Sequence, residues 1–223
     1  MNAYKAARKI DISAVRTHHG KEDIDEIVRL GKKYNFINVH ALPCWTSYLA
    51  QQLKDFPEIL VGSPVGFPGG AHKTETKIFE AKQLVADGVQ EMDLVMNIGK
   101  LRSAEYNYII NEIKEVNTIA GEIPLKVIIE INALNNDEMK KACELVIEGG
   151  ADFIKTGTGW IPGDANLERI ETIMNFIGDS IKLKAAGGVR TREEFIHLDS
   201  LGIHRFGINI KSAIEIVESF PAK

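Results

Sequence analysis

Three residues carry the sharpest chemical signal in the chain: Lys155 in GADFIKTGTGW, Lys184 in LKAAGGVRT and Asp93 in EMDLVMNIG. Lys155 closes a short apolar run and precedes a glycine–threonine turn. An amine held there in its neutral form is a nucleophile that condenses with a carbonyl to give an imine. A lysine at a strand end can equally snorkel its ammonium into solvent. Lys184 shifts that balance, because it occupies the same kind of position one strand–helix unit later. Adjacent parallel strands lie about 4.8 Å apart, so two inward lysines at one height have neighbouring ammonium groups. In a partly dry site their repulsion drives one toward the neutral amine. The competing reading is a pair of lysines neutralised by buried carboxylates. Asp93 fits both, as a proton relay beside a lysine or as a fixed counter-ion.

A second signal is glycine at three consecutive strand ends. TGTG (156–159, with Gly159), AAGG (185–188, with Gly187 and Gly188) and the Phe206-Gly207 pair each follow an apolar run and precede a helical one. Backbone N–H groups in such loops, together with a helix N-terminus, make an anion site. Asn209, just beyond Gly207, adds an amide donor to that rim.

The elements that must hold these residues follow one alternation. Eight short apolar or β-branched runs read as strands: 10–15, 36–42, 59–66, 91–98, 125–131, 152–157, 181–187 and 204–209. The stretches between them have helical spacing. One puts Ile24, Ile27, Val28 and Leu30 on one side, and another Ile78, Phe79, Leu84 and Val85. Gly88, Gly149, Gly178 and Gly202 follow helical stretches, where a left-handed residue ends a helix. Thr191 to Glu194 is a capping box, and Asn136 or Asp137 is placed to cap the helix that follows it.

Strand–helix alternation implies parallel strands with helical crossovers, either as an open doubly wound sheet or as a closed eight-stranded barrel. Charged residues inside the runs favour the barrel: Asp11, Asp93, Lys126, Glu130, Lys155, Lys182 and Lys184. Central strands of an open sheet are buried on both faces and are nearly all apolar. A barrel with a polar upper interior accommodates one charged parity per strand. The expectation is a single (β/α)8 TIM-type barrel spanning residues 1–223.

Composition sets the outer bounds. Among 223 residues, 44% are hydrophobic and 26% charged, as in ordinary globular proteins. Lys+Arg 27 against Asp+Glu 31 gives a net charge of −4 and no electrostatic case for nucleic acid or an anionic membrane as partner. Cys44 and Cys143 make no redox or zinc motif, and the six histidines have no metal-ligand spacing. His18-His19 reads as a solvated loop pair. No cofactor and no metal are implied. The N-terminus lacks the apolar stretch of a signal peptide, and no run is long enough to span a membrane, so the expected location is the cytoplasm. Homo-oligomerisation stays open.

The blocks VGFPGGAHKTETKIFEAKQLVADGVQEMDLVMNIGKL (65–101), LKVIIEI (125–131), GADFIKTGTGW (150–160) and LKAAGGVRT (183–191), in this order, resemble the deoxyribose-phosphate aldolases. These are class I aldolases on a β/α barrel, and the resemblance runs from about Asp11 to Gly207. It implies that Lys155 forms the Schiff base. It implies that Lys184 perturbs Lys155 and shares in proton transfer, and that Asp93 belongs to the proton relay. The implied reaction is reversible, metal-free cleavage of 2-deoxyribose 5-phosphate to glyceraldehyde 3-phosphate and acetaldehyde. A related aldolase with another sugar phosphate or aldehyde, and a non-catalytic sugar-phosphate-binding barrel, are the alternatives. The chain departs from the family pattern at Ile12-Ser13, at His40 where a cysteine is usual, at Ile131-Asn132, and at Asn209-Ile210 where serines are usual.

Overall fold

The structure is a computed structural model that describes residues 1–163 and 167–222. Eight strands form: β1 (Ile10–Ala14), β2 (Asn38–Ala41), β3 (Leu60–Val65), β4 (Glu91–Val95), β5 (Leu125–Ile128), β6 (Phe153–Lys155), β7 (Lys182–Ala186) and β8 (Arg205–Gly207). They pair in chain order, all parallel, and β1 closes on β8. Each apolar run of the sequence holds one of them, and the sheet is the closed barrel rather than the open one. Helix α1 (Ala3–Ala7) precedes β1. Outside the barrel lie α2 (Lys21–Tyr34), α3 (Thr46–Leu53), α4 (Thr74–Ala86), α5 (Ile98–Arg102) and α6 (Tyr106–Ala120), followed by α7 (Asn136–Gly149), α8 (Leu167–Ile177), α9 (Arg192–Ser200) and α10 (Ile210–Glu218).

Alternation along the strands separates two interiors. One parity points outward under the helices and is apolar, including Ile10, Ile12, Val39, Val61, Met92, Leu94, Val127, Ile154, Leu183 and Phe206, all buried. The helices answer with their own apolar faces. In α2 these are Ile24, Ile27, Val28 and Leu30, as the spacing predicts. The other parity fills the barrel and is strongly polar: Asp11, Asn38, His40, Glu91, Asp93, Lys126, Lys184 and Arg205 are all buried there. The hydrophobic effect therefore holds the helices to the barrel wall, while ion pairs fill its middle.

Several local expectations need correction. In α4 the buried residues are Lys77, Ala81 and Leu84, whereas Phe79 is 65% exposed and Val85 38% exposed. The helix is rotated because Lys77 goes inward. Its Nζ reaches Glu112 of α6 at 2.6 Å and donates to the Val95 carbonyl at 2.9 Å. The fourth predicted strand stops at Val95, and Ile98 opens α5. Glu130 lies beyond β5 with φ at +53°, so it is not a strand residue. The left-handed residue after α7 is Gly150, not Gly149. A Cβ on Gly149 would come within 2.5 Å of Ile113, so that glycine serves helix packing instead. The cap of α7 is Asn135, whose side chain accepts from Glu138 N while Glu138 reaches back. The predicted box at Thr191 and Glu194 is present.

Among the described residues no helix is long and apolar enough to cross a membrane. Both cysteines are free thiols, Cys44 exposed and Cys143 buried.

Candidate active site

The predicted chemical residues converge at the C-terminal mouth of the barrel, where β/α barrels place their catalytic groups. Lys155 and Lys184 are register partners on β6 and β7. Thr156 clamps the two strands just above them: its hydroxyl donates to the Ala186 carbonyl at 3.0 Å and accepts from the Ala186 N–H at 2.8 Å. That clamp holds the lysines at one height. The turn after β6 is tied down by Glu130, whose carboxylate accepts from the Thr158 N–H and from the Thr158 hydroxyl.

Asp93, fully buried on β4, joins the two amines. Its Oδ2 lies 2.7 Å from Lys155 Nζ and 3.2 Å from Lys184 Nζ. Lys184 also reaches Asp11 Oδ2 at 2.5 Å. Below them, Arg205 bridges Asp11 at 2.8 Å and Glu91 at 2.5 Å, and Lys126 pairs with Glu91 at 2.7 Å. Three carboxylates, Asp11, Glu91 and Asp93, thus stand among four basic side chains, Lys126, Lys155, Lys184 and Arg205. Carboxylates are outnumbered by one, and Lys155 at the mouth is the amine served by a single, shared carboxylate.

The two lysines are electrostatically unequal for that reason. Burial pushes Lys155 below the ordinary lysine value; Asp93 opposes this and the Lys184 charge assists it. Burial also penalises the Lys184 ammonium, but Asp11 and Asp93 outweigh it and hold Lys184 above the ordinary value. Asp93 is penalised by burial too, yet Lys155 and Lys184 keep it far below the carboxylate range. Both sequence readings therefore contribute. The Lys184 charge presses on Lys155 and the two share a buried carboxylate, with burial the larger cause at Lys155.

A cavity of about 460 Å³ opens above this floor. It is lined by Lys155 and Lys184, and by the predicted rim residues Gly159, Gly187, Gly188, Gly207 and Asn209. Gly187 and Gly188 are both left-handed, with φ at +86° and +81°. A Cβ on Gly207 would stand 3.3 Å from Ala186 Cβ and 3.4 Å from Lys184 Cε, so the β8 backbone packs closely beside the Lys184 side chain. Asn209 does not offer its amide as freely as expected. It caps α10, with Oδ1 accepting from Ser212 N at 3.0 Å and Nδ2 donating to Ser212 Oγ at 3.1 Å.

Several lining residues were not foreseen. Arg16, just past β1, donates to the Gly159 carbonyl at 3.0 Å and lies 5.7 Å from the Trp160 ring centroid. Arg190 also lines the cavity. Nothing in the local pattern of Arg16 announces it; its position one turn beyond a strand end is its only signal. His19 lines the cavity from the loop after β1, where it is partly exposed, with Nδ1 accepting from the Arg16 N–H at 3.3 Å. His40 lines the floor, where burial lowers its pKa to about 3 and keeps the imidazole neutral. Glu91, Asn38 and Arg205 complete the polar interior. Among the described residues, no group of three or more His, Cys, Asp or Glu side chains is placed to hold a metal ion.

A family model described as DeoC/LacD family aldolase matches residues 50–198. The chain is 40% identical over 208 residues to a deoxyribose-phosphate aldolase of Klebsiella pneumoniae, covering 92% of this chain and 84% of that one. It is 39% identical over 228 residues to a deoxyribose-phosphate aldolase of Thermococcus kodakarensis, with 99% of each chain covered. Among solved structures, QR15, an aldolase, superposes with a TM-score of 0.89 at 35% identity, covering 96% of this chain and 94% of that one.

Proposed function

The chain belongs to the DeoC/LacD family of aldolases, and from that premise we propose that it is a class I aldolase that reversibly cleaves 2-deoxy-D-ribose 5-phosphate to D-glyceraldehyde 3-phosphate and acetaldehyde. The observation that carries this reading is the pair of in-register lysines on one buried aspartate, at the floor of a cavity with a glycine-rich rim.

In this reading Lys155 attacks the substrate aldehyde as a neutral amine. A C–N bond forms, the carbonyl oxygen takes two protons, one from the amine nitrogen and one from a neighbouring acid, and leaves as water, and a protonated imine remains. The hydroxyl on the carbon β to the imine then loses its proton. That C–O becomes a carbonyl, the C–C bond breaks, and its electron pair moves into the iminium to give an enamine. The imine is the electron sink, which is the role of covalent catalysis by lysine. The enamine is protonated at carbon, and water hydrolyses the resulting imine to release acetaldehyde and the free amine. Asp93 and Lys184, in hydrogen-bond contact at the floor, are the groups positioned to hold and pass these protons.

The phosphate is assigned to the rim. The backbone around Gly187, Gly188 and Gly207, the N-terminus of α10 and the Arg16 guanidinium supply donors and positive charge there. The test is a cleavage assay with deoxyribose 5-phosphate beside unphosphorylated deoxyribose. Cleavage of the phosphorylated sugar in preference to the free one is expected. No cleavage of either, with imine formation on other carbonyls, favours an aldolase of different substrate. No cleavage and no imine favours a binding protein.

A further inference from the structure

His40 is the one side chain lining the cavity floor with a buried nitrogen, Nε2, that has no hydrogen-bond partner among the described residues. Its other nitrogen is firmly held. Nδ1 lies 3.1 Å from Asn38 Oδ1, and Asn38 Nδ2 donates to Glu91 Oε2 at 2.8 Å. Glu91 also receives Lys126 and Arg205, so its carboxylate is an acceptor on every side. Asn38 must therefore turn its amide N–H₂ to Glu91 and its carbonyl to the imidazole. That orientation requires the hydrogen on Nδ1. Reversing it would set two acceptors at 3.1 Å, or, with Asn38 flipped, two acceptors at 2.8 Å.

A neutral imidazole with its hydrogen on Nδ1 has a bare lone pair on Nε2. That lone pair faces Asp93, whose Oδ2 is 3.5 Å away, too far for a hydrogen bond and also an acceptor. Lys155 and Lys184 stand beyond the same oxygen. The neighbouring strand is shaped for this ring. At Gly62 of β3, an added Cβ would fall 2.0 Å from His40 Nδ1 and 2.6 Å from Asn38 Oδ1. Glycine there keeps the Asn38–His40 pair in place.

We propose that His40 is a hydrogen-bond acceptor for the substrate, with Nε2 receiving the hydrogen of the hydroxyl on the carbon β to the imine. This rests on the imine chemistry assigned above to Lys155. Two contacts to one Asp93 oxygen bound the reach: 2.7 Å to Lys155 Nζ and 3.5 Å to His40 Nε2 put the two nitrogens no more than about 6 Å apart. The β hydroxyl oxygen is four covalent bonds from the imine nitrogen, a span of about 4–5 Å by ordinary bond lengths. A hydrogen bond from that oxygen to Nε2 fits within the interval. The acceptor orients the hydroxyl whose one proton must leave when the C–C bond breaks; it leaves through Nε2, beside the Asp93 carboxylate 3.5 Å away that offsets the charge formed on the ring.

The test separates imine formation from cleavage. In His40→Leu, kcat/KM for deoxyribose 5-phosphate should fall about tenfold or more, the worth of a hydrogen bond at the reacting group. Cyanoborohydride trapping with acetaldehyde, which has no β hydroxyl, should keep its native rate. His40→Gln, which restores a carbonyl acceptor, should recover part of the cleavage. Gly62→Ala should reproduce the His40→Leu pattern by displacing the ring. The tautomer is read independently of turnover from the ¹⁵N NMR spectrum of histidine-labelled native protein, with Nδ1 protonated and Nε2 bare. Undiminished cleavage in His40→Leu, a parallel fall in acetaldehyde trapping, or a protonated Nε2 would overturn the proposal. Native protein that neither cleaves the sugar phosphate nor is trapped would overturn the functional reading along with it.

Discussion

Replacing Lys184 with methionine removes a charge beside Lys155, the proposed nucleophile, while keeping most of the side chain's length. Lys155 Nζ and Lys184 Nζ both contact Asp93 Oδ2, at 2.7 Å and 3.2 Å. They cannot be farther apart than those contacts laid end to end, about 6 Å. At that separation two unit charges repel by about 0.7 kcal/mol in a water-like medium and about 2.8 kcal/mol at an effective dielectric near 20. One pKa unit corresponds to about 1.4 kcal/mol. Removing Lys184 should therefore raise the Lys155 pKa by roughly half a unit to two units. Asp93, relieved of one partner, pulls in the same direction. In the proposed mechanism neutral Lys155 is the attacking form, so the rate should climb as pH rises through its pKa. A higher pKa moves that acidic limb to higher pH. The assay is the pH dependence of cyanoborohydride trapping with acetaldehyde, which reads imine formation even where the variant turns over slowly. A limb that stays in place would show that burial alone sets the nucleophile, and one that moves to lower pH would show that the pair does not repel.

The remaining predictions concern the ion pairs and the rim. Asp11, lowered from 3.8 to about 2, and Asp93, also held well below the ordinary carboxylate value, have folded pKa values below their unfolded ones. They add stability that is present above about pH 4 and lost as pH falls toward about 2, so the urea midpoint should drop steeply across that window. Lys77→Met strands the buried Glu112 carboxylate and should cost about 3–5 kcal/mol in urea unfolding, much of it restored by adding Glu112→Leu. Arg16→Gln should lower kcat/KM for deoxyribose 5-phosphate about tenfold and leave that for deoxyribose nearly unchanged, since a charged hydrogen bond to phosphate is worth about 1.5–3 kcal/mol before solvent screening. An equal fall for both sugars would place Arg16 outside the phosphate site.

The fold was legible because strand parity is written in composition. Outward positions are apolar and inward ones charged, and that contrast distinguishes a barrel with a polar interior from an open sheet. The same contrast exposed Lys155, Lys184 and Asp93. It did not reveal Glu91, Asn38 and Arg205 as one network, because a charge inside an apolar run indicates which face it takes but not which partner it meets across the barrel. The face of α4 was misread for a related reason. Its buried positions, 77, 81 and 84, contain a lysine, and hydrophobic periodicity cannot count a lysine as core. Gly149 and Gly150 are adjacent, and the pattern does not distinguish the glycine that leaves room for Ile113 from the one that turns left-handed. Asn209 looked like a ligand donor because a helix cap and an anion donor use the same chemistry. His40 could be noted as a departure from the family pattern, but its tautomer depends on Asn38 and Glu91, which only the folded barrel brings beside it.

The central claim is that Lys155, and not its neighbour, forms the imine. Native protein treated with deoxyribose 5-phosphate and borohydride, then digested and mapped by mass spectrometry, should carry the reduced adduct on the peptide containing Lys155. Lys155→Ala should carry none. An adduct on Lys184, Lys182 or Lys126 with Lys155 unmodified would contradict the assignment and the electrostatic account built on it.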